Sequence, residues 1–253
     1  MSNKLQGIRY LLLLCYFLLL SFSCPGENAY ATIATTPHNL SITGPGPIKA
    51  VSETQICVFC HTPHKADSSG PLWNRGLSSV ANYIVPSSAT LLSRPQNPPD
   101  GDSRLCLSCH DGTVAIGSVI NLGGAATTIS MQDSGTGALT AGKLTPNAPT
   151  NFGTDLSGHH PVSIEVDPAL ITDKEAQCNS GLVSLKVCNP TAPVKLLSTA
   201  NLYGAGPHTH RGVQCSSCHD AHEDPIPGTS KFLRADQSTL CGLCHVPCSA
   251  TCP

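Results

Sequence analysis

The distribution of apolar residues along the chain predicts little regular secondary structure. No long segment repeats apolar residues with helical spacing, and the stretch from Gly112 to Asp155 is mostly Gly, Ala, Thr, Ser and Asn with scattered Ile and Val. Segment 94–99 is rich in proline, which is typical of a surface loop or linker. The pattern therefore predicts a mostly irregular, loop-rich fold with short helices and few short strands.

The longest apolar run lies at the N-terminus. Lys4 and Arg9 precede an apolar segment from Tyr10 to Phe22, which is too short to span a bilayer comfortably, and the small residues of Ala29-Tyr30-Ala31 follow it. These features predict a signal peptide over residues 1–31 and an exported mature chain, 32–253. An alternative is a lipid-modified N-terminus at Cys24, which the residues just before that cysteine fit poorly.

Composition separates the mature chain from ordinary enzymes and from nucleic-acid-binding proteins. The 253 residues are 4% aromatic and include 22 Gly and 21 Pro, so the side chains supply little material for a conventional core. We therefore expect something other than side chains to fill the interior. The formal net charge of -2 gives no basic surface for neutralising phosphates, which argues against nucleic-acid binding.

Cysteine spacing carries the strongest chemical signal. Twelve of the 14 cysteines lie beyond the predicted signal peptide, and eight of these form four copies of Cys-x-x-Cys-His, the pattern of c-type haem attachment. Two thiols join the vinyl groups of one haem as thioethers, and the adjacent histidine is held where it can ligate the iron. The predicted attachment residues are Cys57, Cys60, Cys106, Cys109, Cys215, Cys218, Cys241 and Cys244, and the motif ligands are His61, His110, His219 and His245.

Paired Cys-x-x-Cys sequences also occur in zinc ribbons, which are the structural alternative. A zinc ribbon does not require a histidine after each pair, so four such histidines favour haem. The remaining cysteines, Cys178, Cys188, Cys248 and Cys252, predict two disulfides in an oxidising compartment. Three connectivities are open; pairing Cys178 with Cys188 and Cys248 with Cys252 would close two local loops.

The second axial ligand of each iron distinguishes an electron carrier from a catalyst with an open site. Apart from the initiator, Met131 is the only methionine, whereas seven histidines lie outside the motifs. His64 and His222 each follow a motif histidine by three residues. The motif histidine already occupies one face of its own haem, so we expect these two to ligate neighbouring haems.

The remaining histidines provide candidates for the other two distal ligands, that is, the second axial ligands of the irons. In the sequence GHHPVS, the proline holds the preceding His160 extended, which favours His160 over His159 as a ligand projecting from a loop. His38 is the preferred fourth ligand, and His208 and His210 are its competitors.

The motifs also suggest an internal duplication. Residues 57–110 and 215–245 each contain two motifs, and each pair starts with a CH-x-x-H sequence. We expect two haem doublets joined by residues 111–214 in a single tetrahaem domain, 32–253. The stack of haems would then serve as the hydrophobic core.

Several segments resemble multihaem c-type cytochromes with doubled CxxCH motifs, including tetrahaem cytochromes that polymerise into extracellular nanowires of the OmcE type. The resemblance rests on HNLS, CVFCHTPH, CLSCHDGTVAIG, HPVS and CSSCHDAH. It implies low-spin, low-potential haems with two histidine ligands, stacked in alternately parallel and T-shaped pairs. It also implies that a subunit donates a histidine to its neighbour, a role that His38 would fill here. The C-terminal sequence PCSATCP does not match the family pattern.

The predicted function is electron transfer through four covalently attached haem c groups, without a catalytic residue. The expected partners are redox proteins or extracellular electron acceptors, with homopolymer formation as one mode of assembly and no transmembrane segment in the mature chain. The expected location is the periplasm or the cell exterior. The alternatives are a soluble periplasmic shuttle and a multihaem reductase of a small oxyanion. The surplus of histidines and the lack of a CxxCK motif argue against the reductase.

Overall fold

The computed structural model describes residues 31–92, 95–123, 125–198, 211–224 and 232–252. Residues 1–30, which carry most of the predicted signal peptide, lie outside the described residues, as do His208 and His210. Within the described part of the chain, no helix is long and apolar enough to cross a membrane. Residues 32–253 belong to one compact unit.

The helices are short, and several coincide with the cysteine motifs. They are α1 (Ala31–Ala34), α2 (Gly101–His110), α3 (Pro168–Asn179), α4 (Cys215–Cys218) and α5 (Gln237–Leu240), with 3₁₀ turns at Cys57–Phe59 and Cys241–Leu243. The longest, α3, starts at a proline and is capped by Asp167, whose carboxylate accepts a hydrogen bond from the Leu170 amide at 2.7 Å.

The strands form small separate sheets. Their bounds are β1 (Ile48–Ala50), β2 (Ser118–Leu122), β3 (Ala125–Thr128), β4 (Met131–Asp133), β5 (Leu139–Thr140), β6 (Lys143–Leu144), β7 (Ile164–Glu165), β8 (Leu185–Val187), β9 (Leu197–Ser198), β10 (Arg211–Val213) and β11 (His245–Pro247). Antiparallel pairs join β1 to β4, β2 to β3, β5 to β6 and β8 to β11, and β10 lies between β7 and β9. The short elements agree with the loop-rich pattern of the sequence; the cytochrome class remains a prediction.

Buried apolar side chains form small clusters close to the first two motifs. One cluster contains Phe59 and Val58 of the first motif with Val119 and Ile129. A second is built around Ile116 and Leu144, and a third places Leu107 of the second motif against Tyr83 and Leu156. These clusters thus pack against the first two Cys-x-x-Cys-His motifs.

Two disulfides tie the C-terminal segment to the middle of the chain. Cys178 pairs with Cys248 and Cys188 pairs with Cys252, with Cα–Cα distances of 5.4 and 5.6 Å. The local pairs that would close short loops are not formed. The reason is the sheet of β8 and β11: it brings Cys188, next to β8, beside the fourth motif, where its amide donates a hydrogen bond to the Cys244 carbonyl at 2.8 Å.

Candidate functional site

The first and second motifs hold their histidine rings in a defined orientation. The His61 amide donates to the Cys57 carbonyl at 2.8 Å, and the His61 Nδ1 lies 2.9 Å from the Pro71 carbonyl oxygen. His110, at the end of α2, places Nδ1 2.8 Å from the Thr150 carbonyl oxygen. A carbonyl oxygen accepts hydrogen bonds only, so Nδ1 carries the proton and Nε2 retains its lone pair. This is the form in which an imidazole ligates a metal through Nε2.

Two non-motif histidines have the same arrangement. His38 Nδ1 lies 3.0 Å from the Ala221 carbonyl oxygen, and His160 Nδ1 lies 2.8 Å from the carbonyl oxygen of Pro161. The same reasoning makes Nε2 the free nitrogen of both rings. Backbone carbonyls thus set the tautomer of both distal and motif histidines.

Three motif histidines each face one non-motif histidine. The ring centroids of His61 and His222 are 6.0 Å apart, with an interplanar angle of 17°. His110 and His38 are separated by 6.1 Å at 62°.

The third pair joins His245 to His160, with centroids 6.2 Å apart at 58°. Two imidazoles that ligate one metal ion from opposite sides, each through a bond of about 2 Å, have centroids roughly 6.3 Å apart. The three separations therefore fit an axially ligated iron between each pair.

His222 faces the first motif rather than the adjacent third motif. His38 faces His110 of its own chain, whereas the resemblance implied a ligand donated to a neighbouring subunit. A ring stack at 4.3 Å on Phe232 and the hydrogen bond to Ala221 hold His38 in this position. Within the single chain, His38 thus faces a motif histidine; its donation to a neighbouring subunit stays a prediction.

The remaining predicted ligands occupy different surroundings. His64 lines a cavity of about 590 Å³ together with Cys57 and His61, and within the described segments no motif histidine ring pairs with it. His159 lies 5.2 Å from the Phe152 ring, and Phe152 in turn stacks on His110 at 5.3 Å. Of the two histidines in GHHPVS, the structure thus brings His160, and not His159, to a motif histidine.

The remaining motif histidine, His219 of the third motif, lies in the same region as the second site. Its charge contributes to lowering the pKa values of His38 and His110, after the larger effect of burial. The two competing ligands nearest to it in sequence, His208 and His210, lie outside the described residues.

Burial favours the ligating form of the histidines at these sites. Loss of solvation is the largest cause that lowers the pKa values of His38, His110 and His245 below 6.5. A proton and a metal ion compete for the same imidazole nitrogen, so a lowered pKa keeps the nitrogen available.

Thiols of successive motifs lie close to one another. Burial, followed by the nearby Cys109 of the second motif, raises the pKa of Cys60 to about 12. Cys106 of the second motif donates a hydrogen bond to Cys215 of the third, which raises the pKa of Cys106 and lowers that of Cys215 to about 7. The second and third attachment sites therefore meet, although 104 residues separate their motifs.

The third and fourth motifs are neighbours as well. Burial raises the pKa values of Cys218 and Cys244, and charges on cysteines of the other motif add to both effects. Cysteines of each pair of consecutive motifs thus lie close together.

A network of polar side chains fastens α2 to α4 between the second and third sites. The Ser103 hydroxyl donates to Gln214 Oε1 at 2.6 Å, and the Cys215 amide donates to the Ser103 oxygen at 3.1 Å. Ser216 donates a hydrogen bond to the Asp102 carboxylate. Ser103, at 0% exposed, and Gln214, at 1%, are buried, so this junction is a rigid part of the fold.

The sequence did not indicate the carbonyl acceptors of the histidine rings, because any residue type supplies a carbonyl. It also missed Trp73, whose ring lies edge-on to His61 at 6.0 Å, and the junction residues Ser103 and Gln214.

In the part of the chain that the structure describes, no group of three or more Cys, His, Asp or Glu is arranged to hold a metal ion. An iron ligated by two histidines requires only two such residues from the protein.

Comparisons with protein-family models and with curated proteins found no match to this chain.

Proposed function

We propose that the protein transfers electrons through four covalently attached haem c groups. The observation that carries this proposal is the set of three histidine pairs, with centroids 6.0 to 6.2 Å apart, each combining one motif histidine with one distant histidine. The motif histidine directly follows two cysteines that are not in disulfides. Thioether attachment and axial ligation thus have their residues side by side.

In this proposal the chain's own residues bind the haems and orient the histidine rings that would ligate the irons. A haem iron with two imidazole ligands gains or loses one electron without exchanging a ligand. The backbone carbonyls of Pro71 and Thr150 hold the rings of His61 and His110, respectively, with Nε2 free. Hydrogen bonding at Nδ1 also increases the basicity of the ligating nitrogen, which favours the oxidised iron.

The spatial order of the sites supports a continuous path for electrons. Thiols of the first and second, second and third, and third and fourth motifs lie near one another. The junction between α2 and α4 fixes the middle step, so the two predicted doublets, 57–110 and 215–245, are joined directly. We propose that electrons pass along the sites in chain order, in either direction.

A carrier fits these sites better than a reductase does. Reduction of a small oxyanion at iron requires an open axial position, and at three sites the paired rings would supply both axial ligands of a bound haem. We propose a carrier in the periplasm or at the cell exterior, with redox proteins or extracellular acceptors as partners. Filament assembly is the variant that the family resemblance implies, with His38 as the histidine that a subunit would donate to its neighbour.

Electron paramagnetic resonance of the oxidised, haem-loaded protein tests the proposal. We expect low-spin ferric signals from irons with two histidine ligands. A protein purified with bound zinc and without haem would overturn it in favour of zinc ribbons. A strong high-spin signal in the wild-type protein would instead favour the reductase. Negative-stain electron microscopy of the same sample separates filaments from single particles.

A further inference from the structure

Arg75 is a buried cation whose hydrogen bonds go only to neutral groups. Its side chain is 0% exposed. Nη1 donates to the Ile116 carbonyl at 2.6 Å, and Nη2 donates to the carbonyls of Ala115 at 2.9 Å and Ser108 at 3.3 Å. Nε is buried without a hydrogen-bond partner.

The guanidinium lies between the first and second attachment motifs. Ser108, one of its acceptors, stands between Cys106 and Cys109 of the second motif. The preceding residue, Asn74, is bound to the first motif: its amide donates to the Cys60 carbonyl at 2.8 Å, and its side chain donates to the Val58 carbonyl at 2.6 Å. Arg75 is thus tied directly to one site and through its neighbour to another.

No carboxylate balances this charge among the residues that the structure describes. The ion pairs there join Lys186 to Glu175, and Arg234 and His222 to Asp220. A guanidinium carries a positive charge in proteins at physiological pH. Burying an unpaired charge is costly, and the field of such a charge is only weakly screened by solvent.

We infer that Arg75 raises the reduction potential of the haem bound by Cys106, Cys109 and His110. This inference rests on the proposed function. Reduction adds one electron, taken from a redox partner or an electrode, and makes the site more negative by one charge. A fixed positive charge nearby stabilises the reduced state relative to the oxidised state.

The test is site-resolved redox titration of the haem-loaded protein, with haems assigned by nuclear magnetic resonance. In Arg75→Gln, we expect the reduced-to-oxidised ratio of this haem at a fixed electrode potential to fall about tenfold, which is about 59 mV for a one-electron couple. Arg75→Lys retains the charge and should keep the potential near that of the wild type. Arg211→Gln, which removes an exposed arginine on β10, is the control and should leave this haem unchanged.

Arg75→Met provides a second neutral variant if the glutamine variant fails to fold, because methionine is a long, flexible side chain that fills irregular gaps in a core. An unchanged potential of this haem in a neutral variant that retains four haems would overturn the inference. A wild-type protein without haem would instead overturn the proposed function itself, so the two failures are distinguishable. Equal shifts in the lysine and neutral variants would mean that packing, and not charge, sets the potential.

Discussion

Replacing His38 by alanine removes the ring that faces His110, and the consequence follows from the geometry of that pair. The two centroids are 6.1 Å apart, and His38 is held by Phe232 and by the Ala221 carbonyl. The Cys-x-x-Cys-His motif of His110 is untouched, so attachment should proceed. One haem of four should lose its distal ligand.

The expected magnitude has a spectroscopic and an energetic part. We expect about a quarter of the low-spin ferric signal to convert to high spin, because one of four irons loses an axial imidazole. Stability should fall by about 1 to 3 kcal/mol, from the lost hydrogen bond at about 0.5 to 1.5 kcal/mol and the lost ring stack at about 0.5 to 1.5 kcal/mol.

The assay is electron paramagnetic resonance together with cyanide titration of the monomeric variant. Cyanide should occupy the opened position in one haem of four. His159→Ala is the matched control, since His159 neighbours a ligand in sequence and contacts Phe152 but no motif histidine. A fully low-spin His38→Ala monomer, indistinguishable from this control, would refute ligation of the second haem by His38.

Two further predictions concern the disulfide between Cys188 and Cys252 and the dependence of stability on pH. Replacing Cys188 and Cys252 by serine should lower the free energy of unfolding by about 4 kcal/mol, because that disulfide closes a loop of 64 residues; an unchanged guanidinium midpoint would contradict this. The pKa values of His38, His110 and His245 are lowered by burial, so the unfolded chain binds more protons than the folded chain as pH falls below 6.5. The free energy of unfolding should therefore be highest above pH 6.5 and decline below it. The melting temperature should fall in the order pH 8, 6 and 5. A melting temperature that rises on acidification would contradict this prediction.

The sequence predicted which cysteines form disulfides but not how they pair. Cys178, Cys188, Cys248 and Cys252 lie outside the Cys-x-x-Cys-His motifs, and the structure joins these four in two disulfides. The attachment role of the other eight cysteines stays a prediction. Disulfide connectivity depends on the pairing of β8 with β11, a tertiary contact between segments about 60 residues apart, and the local pairs considered from loop length are not the ones formed.

Histidine pairing likewise depends on contacts between distant segments that the sequence does not reveal. The proline after His160 was a local signal, and the structure brings that ring to His245. The contacts of His38 within its own chain could not be predicted from its place near the mature N-terminus, because Phe232 and Ala221 hold it from almost 200 residues away. The burial of Arg75 could not be predicted from the sequence, because most arginines between motifs lie exposed at the surface.

Mass spectrometry of the denatured protein, purified from a host with a haem-attachment system, tests the central claim most directly. The account predicts the mature polypeptide plus four haem groups that remain bound after denaturation and chelation, because two thioether bonds hold each one. Peptide mapping should place these groups on the pairs that begin at Cys57, Cys106, Cys215 and Cys241. A bare polypeptide mass, with these eight cysteines free, zinc-bound or joined as disulfides, would contradict it.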